Sequence, residues 1–285
     1  MPNTKPIVMT SYEEILENKE LILEKFKEDT VVVIRGANLT TDQQSRFAKS
    51  MGDYVGWFPN NSDDFNQRYT EDHSRVGNKE EAGADAIVVP WHLEHVDFDT
   101  YTPIIAGIWN MLHFTADPET GKTYFVDASA IYRSLPEDSQ EFLSKCVVEW
   151  YEADGSGPFI TPAVQSHWLT GEPVIRMDVR FFVSTPEMLH TFNEEDPTLE
   201  DRKKFVELRN HFIDEIRFNE DIRIVHKWEQ GDLLIVDLFK HAHAVTGGFN
   251  SENRKFTGEW VYPKNPETRE FLDFIDNIAS KRADG

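Results

Sequence analysis

The chain has a single cysteine, Cys146, so no intrachain disulfide can form, and the thiol reads as a small buried hydrophobe. Long apolar runs are also missing. The Val31–Ile34 run is far too short to cross a bilayer. The first six residues lack the apolar stretch of a secretory signal, so a reducing, cytoplasmic setting is the expectation. Basic residues are scarce too: 29 Lys and Arg against 51 Asp and Glu leave a formal charge of −22. That deficit excludes the basic footprint of a nucleic-acid binder and opposes docking on anionic membranes. It also biases any ligand towards a cationic or zwitterionic small molecule. Low-complexity segments, internal repeats and a dividing linker are absent, so the 285 residues read as one domain.

Aromatic residues, by contrast, are plentiful, with 20 Phe and 7 Trp, enough for a core built on bulky rings. Ser11-Tyr12-Glu13-Glu14 carries a capping-box pattern and opens a helix to about Lys27. A strand follows at Thr30–Arg35, then a helix from Thr41 to about Gly52, so that residues 11–52 form a helical N-terminal portion. Residues 58–84 are polar and read as a long loop, a candidate lid. Strands are expected at Ile87–Val89, Ile104–Met111, Thr123–Asp127, Val174–Val183, Ile222–Trp228, Leu233–Asp237 and Phe256–Val261. Helical stretches are expected from Ser129, running through Leu135-Pro136, at Asp138–Lys145, and at Leu199–Phe218, where Phe205, Leu208, Phe212 and Ile216 recur at helical spacing. The fold class is therefore mixed α+β, mainly β, with a sheet core decorated by helices.

The residues that carry chemistry lie in two stretches. The first is Pro90-Trp91-His92-Leu93-Glu94-His95 and the second Asp237-Leu238-Phe239-Lys240-His241-Ala242-His243. On an extended strand, residues i and i+2 share a face, so His92 and Glu94 can reach one ion. A distant histidine then completes two imidazoles and one carboxylate, a donor set that suits ferrous iron and leaves positions open. Two frames overlap here, His92-x-Glu94 and His95-x-Asp97, and His241 competes with His243; spacing does not choose among them. Arg176 and Arg180 share a strand face and are candidate holders of a substrate carboxylate. His95, Asp97 and Asp99 could face an ammonium group. Trp109, His113 and His167 read as core or wall residues.

The order of these motifs resembles the TauD/TfdA-like family of Fe(II)/2-oxoglutarate-dependent dioxygenases. The likeness runs through Trp91-His92-Leu93-Glu94, the apolar strand at Ile104–Met111, Gly121-Lys122-Thr123, the turn Ser166-His167-Trp168-Leu169-Thr170-Gly171, the Asp237–His243 stretch and Arg254. It spreads from about residue 30 to 262. The resemblance implies a double-stranded β-helix (jelly-roll) core and selects His92, Glu94 and His243 as iron ligands. It implies that Thr123 and Arg254 hold the 5-carboxylate of 2-oxoglutarate, the co-substrate used with O2. Glu94 departs from the usual Asp but matches a Glu-bearing subgroup similar to clavaminate synthase and the asparagine and arginine oxygenases. Leu238-Phe239 stands where Asn-Arg is common. The implied reaction hydroxylates an unactivated C–H bond of a small polar metabolite, a free amino acid or a relative. Desaturation or cyclisation by the same chemistry is the alternative outcome, and a jelly-roll binding protein without catalysis the alternative class.

Overall fold

The computed structural model describes residues 6–55, 57–59, 82–94, 105–150, 159–177, 179, 188–191, 197–250 and 252–263. In chain order the strands are β1 (Ile7–Val8), β2 (Val31–Arg35), β3 (Trp57–Pro59), β4 (Ile87–His92), β5 (Ala106–Phe114), β6 (Thr123–Asp127), β7 (Cys146–Trp150), β8 (Phe159–Pro162), β9 (Val164–Ser166), β10 (Pro173–Ile175), β11 (Met188–Thr191), β12 (Arg223–His226), β13 (Leu233–Val236), β14 (His241–Thr246) and β15 (Arg254–Pro263). The helices are α1 (Tyr12–Glu17), α2 (Lys19–Asp29), α3 (Thr41–Val55), α4 (Ala128–Ser134), α5 (Glu137–Ser144) and α6 (Leu199–Phe218). No helix among the described residues is long and apolar enough to cross a membrane.

The chain folds into two compact units. The larger comprises residues 1–94, 103–126 and 221–265, and the smaller 95–102, 127–220 and 266–285. The larger holds a six-stranded sheet of order β1-β2-β13-β5-β15-β3 and a four-stranded sheet of order β12-β6-β14-β4. β1 and β2 pair in parallel, whereas β2/β13, β13/β5, β5/β15, β15/β3, β12/β6 and β14/β4 pair antiparallel. This is the mixed α+β arrangement that the helical N-terminal portion and the later strands led one to expect, and the jelly-roll core that the resemblance implies.

Period-two alternation explains how the larger unit builds its core. Val31 and Val33 on β2, Leu234 and Val236 on β13, and Trp109 and Met111 on β5 point to one face, where they meet Phe125 of the four-stranded sheet. The intervening Val32, Ile34, Leu233, Ile235 and Ile108 are also buried, on the other face. Helices cover that face: α2 packs on β2, and α3 on β5 and β15. Gln44 of α3 donates to the carbonyls of Ile108 and Thr257 (2.8 and 3.2 Å), anchoring the helix to the sheet. Strands buried on both faces read as unbroken apolar runs, which is why VVVI and LLIV show no alternation. Gly258 lies opposite Trp109 in the β15–β5 register, and a Cβ there would sit 3.1 Å from the indole. The glycine leaves that space to the Trp109 ring.

The smaller unit holds a three-stranded sheet of order β11-β7-β8 and the hairpin β9–β10, with α4, α5 and α6. Thr198 and Asp201 close a capping box at the start of α6, which buries Phe205, Phe212, Ile213 and Ile216. Burial pushes the Cys146 thiol up to about 12, which leaves it inert.

Several boundaries differ from expectation. The first helix is two, because the chain breaks at Asn18, whose φ of −105° and ψ of 24° leave the helical range. Leu135-Pro136 separates α4 from α5 rather than lying inside one helix, as the restriction that proline places on its predecessor requires. Of the strand expected at Val174–Val183, the structure has β10, Pro173–Ile175, which matches its three-residue partner β9; residues 178 and 180–183 lie outside the described residues. Phe58 and Pro59 belong to β3 and pair with β15 rather than opening a loop, and residues 60–81 of the candidate lid lie outside the described residues.

Candidate metal centre

His92 closes β4, and its antiparallel partner in the ladder is His243 of β14. Directly opposed residues of such a pair bring their side chains close. The two imidazole centroids lie 4.0 Å apart, with the rings inclined by 51°. Glu94 follows β4 by two residues and turns its carboxylate between them: its Oε1 is 3.8 Å from His92 Nε2 and 3.7 Å from His243 Nε2. One ligand atom from each of the three lies within 4.8 Å of the others.

The surroundings tell how each imidazole is held. His92 Nδ1 donates to the Pro90 carbonyl at 2.8 Å, so the proton sits on Nδ1 and the Nε2 lone pair faces Glu94. His243 is buried against Trp109 (5.3 Å between ring centroids) and Phe125 (6.1 Å). Burial pushes the His243 imidazole well below its ordinary value, with the neighbouring His92 and His241 adding to the shift. A neutral ring keeps a lone pair for a metal at neutral pH. His241 is buried too, but its nitrogens are turned elsewhere: Nδ1 donates to the Asp237 carbonyl (2.9 Å) and Nε2 lies 3.3 Å from Thr30 Oγ1. Two imidazoles and a carboxylate converging on one point fit ferrous iron by their donor chemistry.

A second cluster lies on the same unit. Arg254 opens β15 and is 3% exposed, yet it makes no ion pair among the described residues, and its Nε has no hydrogen-bond partner there. Rings surround it instead: its guanidinium carbon lies 4.5 Å from the Phe249 centroid, 5.1 Å from Phe256 and 5.9 Å from Trp228. Burial drops the Arg254 guanidinium to about 9. Gly121, at φ +58°, lets the preceding turn close on this side chain; a Cβ there would stand 3.2 Å from Arg254 Cδ and 3.1 Å from Phe249. Thr123, two residues on and 1% exposed, accepts the Trp228 Nε1–H at 2.9 Å. A buried cation without a counter-charge is costly unless an anion completes it. Arg254 with Thr123 therefore fits a carboxylate.

The rings of Trp109 and Phe256 join the two clusters: Trp109 packs against His243 at 5.3 Å and Phe256 at 6.4 Å. Trp228, Phe249 and Phe256 were not among the residues that spacing suggests. Of the other candidates, Arg176 is buried in the smaller unit, where its backbone N–H donates to Ala163. His167 Nδ1 holds Thr170 and so fastens the turn before Gly171. His113 reaches Thr115 at 3.4 Å. His95, Asp97, Asp99 and Arg180 lie outside the described residues.

Behind Trp228, His226 packs edge-on at 4.4 Å. Burial, then Arg35 and Arg254, push His226 down to about 3. In the unfolded chain it titrates near 6.5, so its share of stability is full above that pH. Below it the unfolded state takes up the proton first, and stability falls by at most about 1.4 kcal/mol per pH unit, a loss that the Asp232 carboxylate 3.5 Å from His226 Nε2 lessens. Urea melts at pH 7 and 5 should show His226→Gln losing less stability on acidification than the wild type, by up to that slope; equal losses would remove His226 from the acid response.

Two antiparallel sheets, with two histidines on paired neighbouring strands and a carboxylate two residues past one of them, have the architecture of a jelly-roll metal-dependent oxygenase. The sequence matches the profile of the taurine catabolism dioxygenase TauD, TfdA family over residues 6–260, and the chain belongs to that family. It is thus a 2-oxoglutarate-dependent dioxygenase, a class that works with Fe(II) and O2. Among curated proteins none matches significantly. Among solved structures, AAD-2 in complex with Mn(II) and N-oxalylglycine is 15% identical, with 92% of this chain and 96% of that chain covered and a TM-score of 0.59. A taurine dioxygenase from Burkholderia xenovorans is 16% identical over 92% and 89% of the two chains, with a TM-score of 0.57. PvcB, an Fe, alpha-ketoglutarate dependent oxygenase from an isonitrile synthetic pathway, is 13% identical over 90% and 85%, with a TM-score of 0.55.

Proposed function

We propose that His92, Glu94 and His243 hold Fe(II), that Thr123 and Arg254 hold the 5-carboxylate of 2-oxoglutarate, and that the chain, acting as one oxygenase domain, hydroxylates a C–H bond of a small zwitterionic or cationic metabolite such as a free amino acid. The observation that carries the co-substrate assignment is Arg254, a buried guanidinium ringed by aromatic side chains with no acidic partner among the described residues. The converging imidazoles and carboxylate support the metal assignment. The profile match, continuous over residues 6–260, supports a single functional domain.

When bound, ferrous iron and 2-oxoglutarate supply the oxidising power, with O2 consumed and succinate and carbon dioxide released. The protein's own residues prepare that chemistry. Pro90 fixes the His92 tautomer, leaving Nε2 as the ligand atom. The Trp109 and Phe125 rings keep water from His243, and its neutral state leaves no proton for a metal to displace. Arg254 neutralises the distal carboxylate through a planar fork, and the Thr123 hydroxyl adds one donor. The carboxylate of Glu94 fills a ligand position that a halogenating relative would leave vacant for chloride. For the substrate class, the strongly acidic composition favours a ligand bearing an ammonium group.

The test is oxygen consumption and succinate release by protein loaded with Fe(II) and 2-oxoglutarate, screened against free amino acids. Substrate-dependent succinate with a hydroxylated product is the expected result. Stoichiometric metal binding with no succinate for any amino acid would overturn the substrate class, and none even with varied polar metabolites would overturn hydroxylation itself.

A further inference from the structure

Trp228 touches both residues assigned to the co-substrate carboxylate, and the way it does so dictates what that pocket accepts. Its indole N–H donates to Thr123 Oγ1 at 2.9 Å, and its ring lies beneath the Arg254 guanidinium. The indole cannot turn. It is 1% exposed, stacked on Phe256 at 6.4 Å with the planes inclined by 19°, and braced edge-on by His226 at 4.4 Å. An indole N–H only donates, so Thr123 must accept there. The Thr123 hydroxyl keeps its proton to give, and it donates no hydrogen bond among the described residues although the side chain is 1% exposed. Arg254 Nε is a second donor in the same condition. The cluster thus presents two donors, and its one acceptor, the Thr123 oxygen, already has one lone pair taken by the indole.

We propose that Trp228 is a positioning residue that fixes the hydrogen-bond polarity of the distal co-substrate pocket, so that the pocket takes a carboxylate and turns away the corresponding carboxamide. This inference rests on the assignment of Thr123 and Arg254 to 2-oxoglutarate. A carboxylate accepts from every donor on offer. A carboxamide brings two N–H groups of its own, finds at most the second lone pair of Thr123 for them, and leaves the guanidinium uncompensated; buried polar groups without partners are how a site rejects a close analogue. Without the indole donor, both lone pairs of the Thr123 oxygen are open to an amide N–H, and discrimination relaxes.

Anaerobic calorimetric titration with Fe(II) present, using 2-oxoglutarate and its 5-carboxamide as probes, reads this without turnover. Trp228→Phe keeps the ring and removes the N–H. The expected result is about tenfold weaker binding of 2-oxoglutarate with little change for the carboxamide, so the acid-to-amide preference falls about tenfold. Thr123→Val should lower the preference alike, Thr123→Ser should retain it, and Trp228→Phe on top of Thr123→Val should add less than about twofold, because the two act as one unit. An unchanged preference in a folded Trp228→Phe protein, or effects that multiply in the double variant, overturns the inference. If Trp228→Phe does not fold, the Thr123 pair decides: a wild-type preference in Thr123→Val overturns it. A failure of the underlying assignment looks different, since wild-type protein would then not bind 2-oxoglutarate, or Arg254→Met would bind it as well.

Discussion

Replacing Arg254 by Met is expected to weaken 2-oxoglutarate binding at least about 100-fold, near 3 kcal/mol for a desolvated charge-assisted pair, while raising the melting temperature of the ligand-free protein. The two effects have one cause. In the free protein the guanidinium is buried without a carboxylate among the described residues, and its drop to about 9 shows that the fold disfavours the charge. The rings of Phe249, Phe256 and Trp228 offset part of that cost, each by ~1–2 kcal/mol, against several kcal/mol for desolvating an ion. Methionine has similar reach and needs no counter-charge, so the ligand-free variant should gain about 1 kcal/mol, or ~2 °C in a chain of this size. Adding Fe(II) and 2-oxoglutarate should reverse the order, because only the wild type is stabilised by the acid. Calorimetry for affinity and differential scanning for melting check both halves. Affinity retained within about fivefold would remove Arg254 from the site.

His243→Ala is expected to abolish stoichiometric Fe(II) binding and to lower succinate formation at least about 1000-fold, roughly 4 kcal/mol. The loss should exceed that in His92→Ala. His243 is the more deeply buried ligand, clamped by Trp109 and Phe125, so no water-filled space beside it can supply a substitute. His92 is 23% exposed in its side chain, and water can take its place in part. His241→Ala is the control: its nitrogens serve Asp237 and Thr30, so it should bind iron normally while melting lower. Anaerobic metal titration of the three variants reads the outcome directly. Normal iron binding in His243→Ala, with loss in His241→Ala, would exchange their roles.

Much of the site was legible because its residues sit near one another in short motifs. His92 and Glu94 share a motif, and the apolar runs of β2, β5 and β13 announced the sheet on which the unit is built. Spacing could not separate the two histidines of the second stretch, and only the resemblance selected His243; the physical difference lies in what each ring nitrogen meets, and those partners, Thr30 and Glu94, lie far off in the chain. Trp228 was invisible for the same reason: its partner Thr123 is 105 residues away, and a lone tryptophan near a strand reads as core. The strand β14 escaped notice because HAHAVT has its β-branched residues only at its end and no strong apolar run. The break at Asn18 carries no proline or glycine to announce it.

The strand order of the four-stranded sheet sets β4 at its edge, with β14 as its sole neighbour among the described residues, and their ladder slips register past His243. An edge strand on an irregular ladder is the part of a sheet that frays first. An ion shared by His92, Glu94 and His243 would act there as a clasp, fastening the loose hem of the sheet to its interior. Amide hydrogen exchange along Ile87–His92 then becomes a gauge of metal loading: fast in the stripped protein, slowed as iron is added, and unresponsive once the clasp is cut at His243.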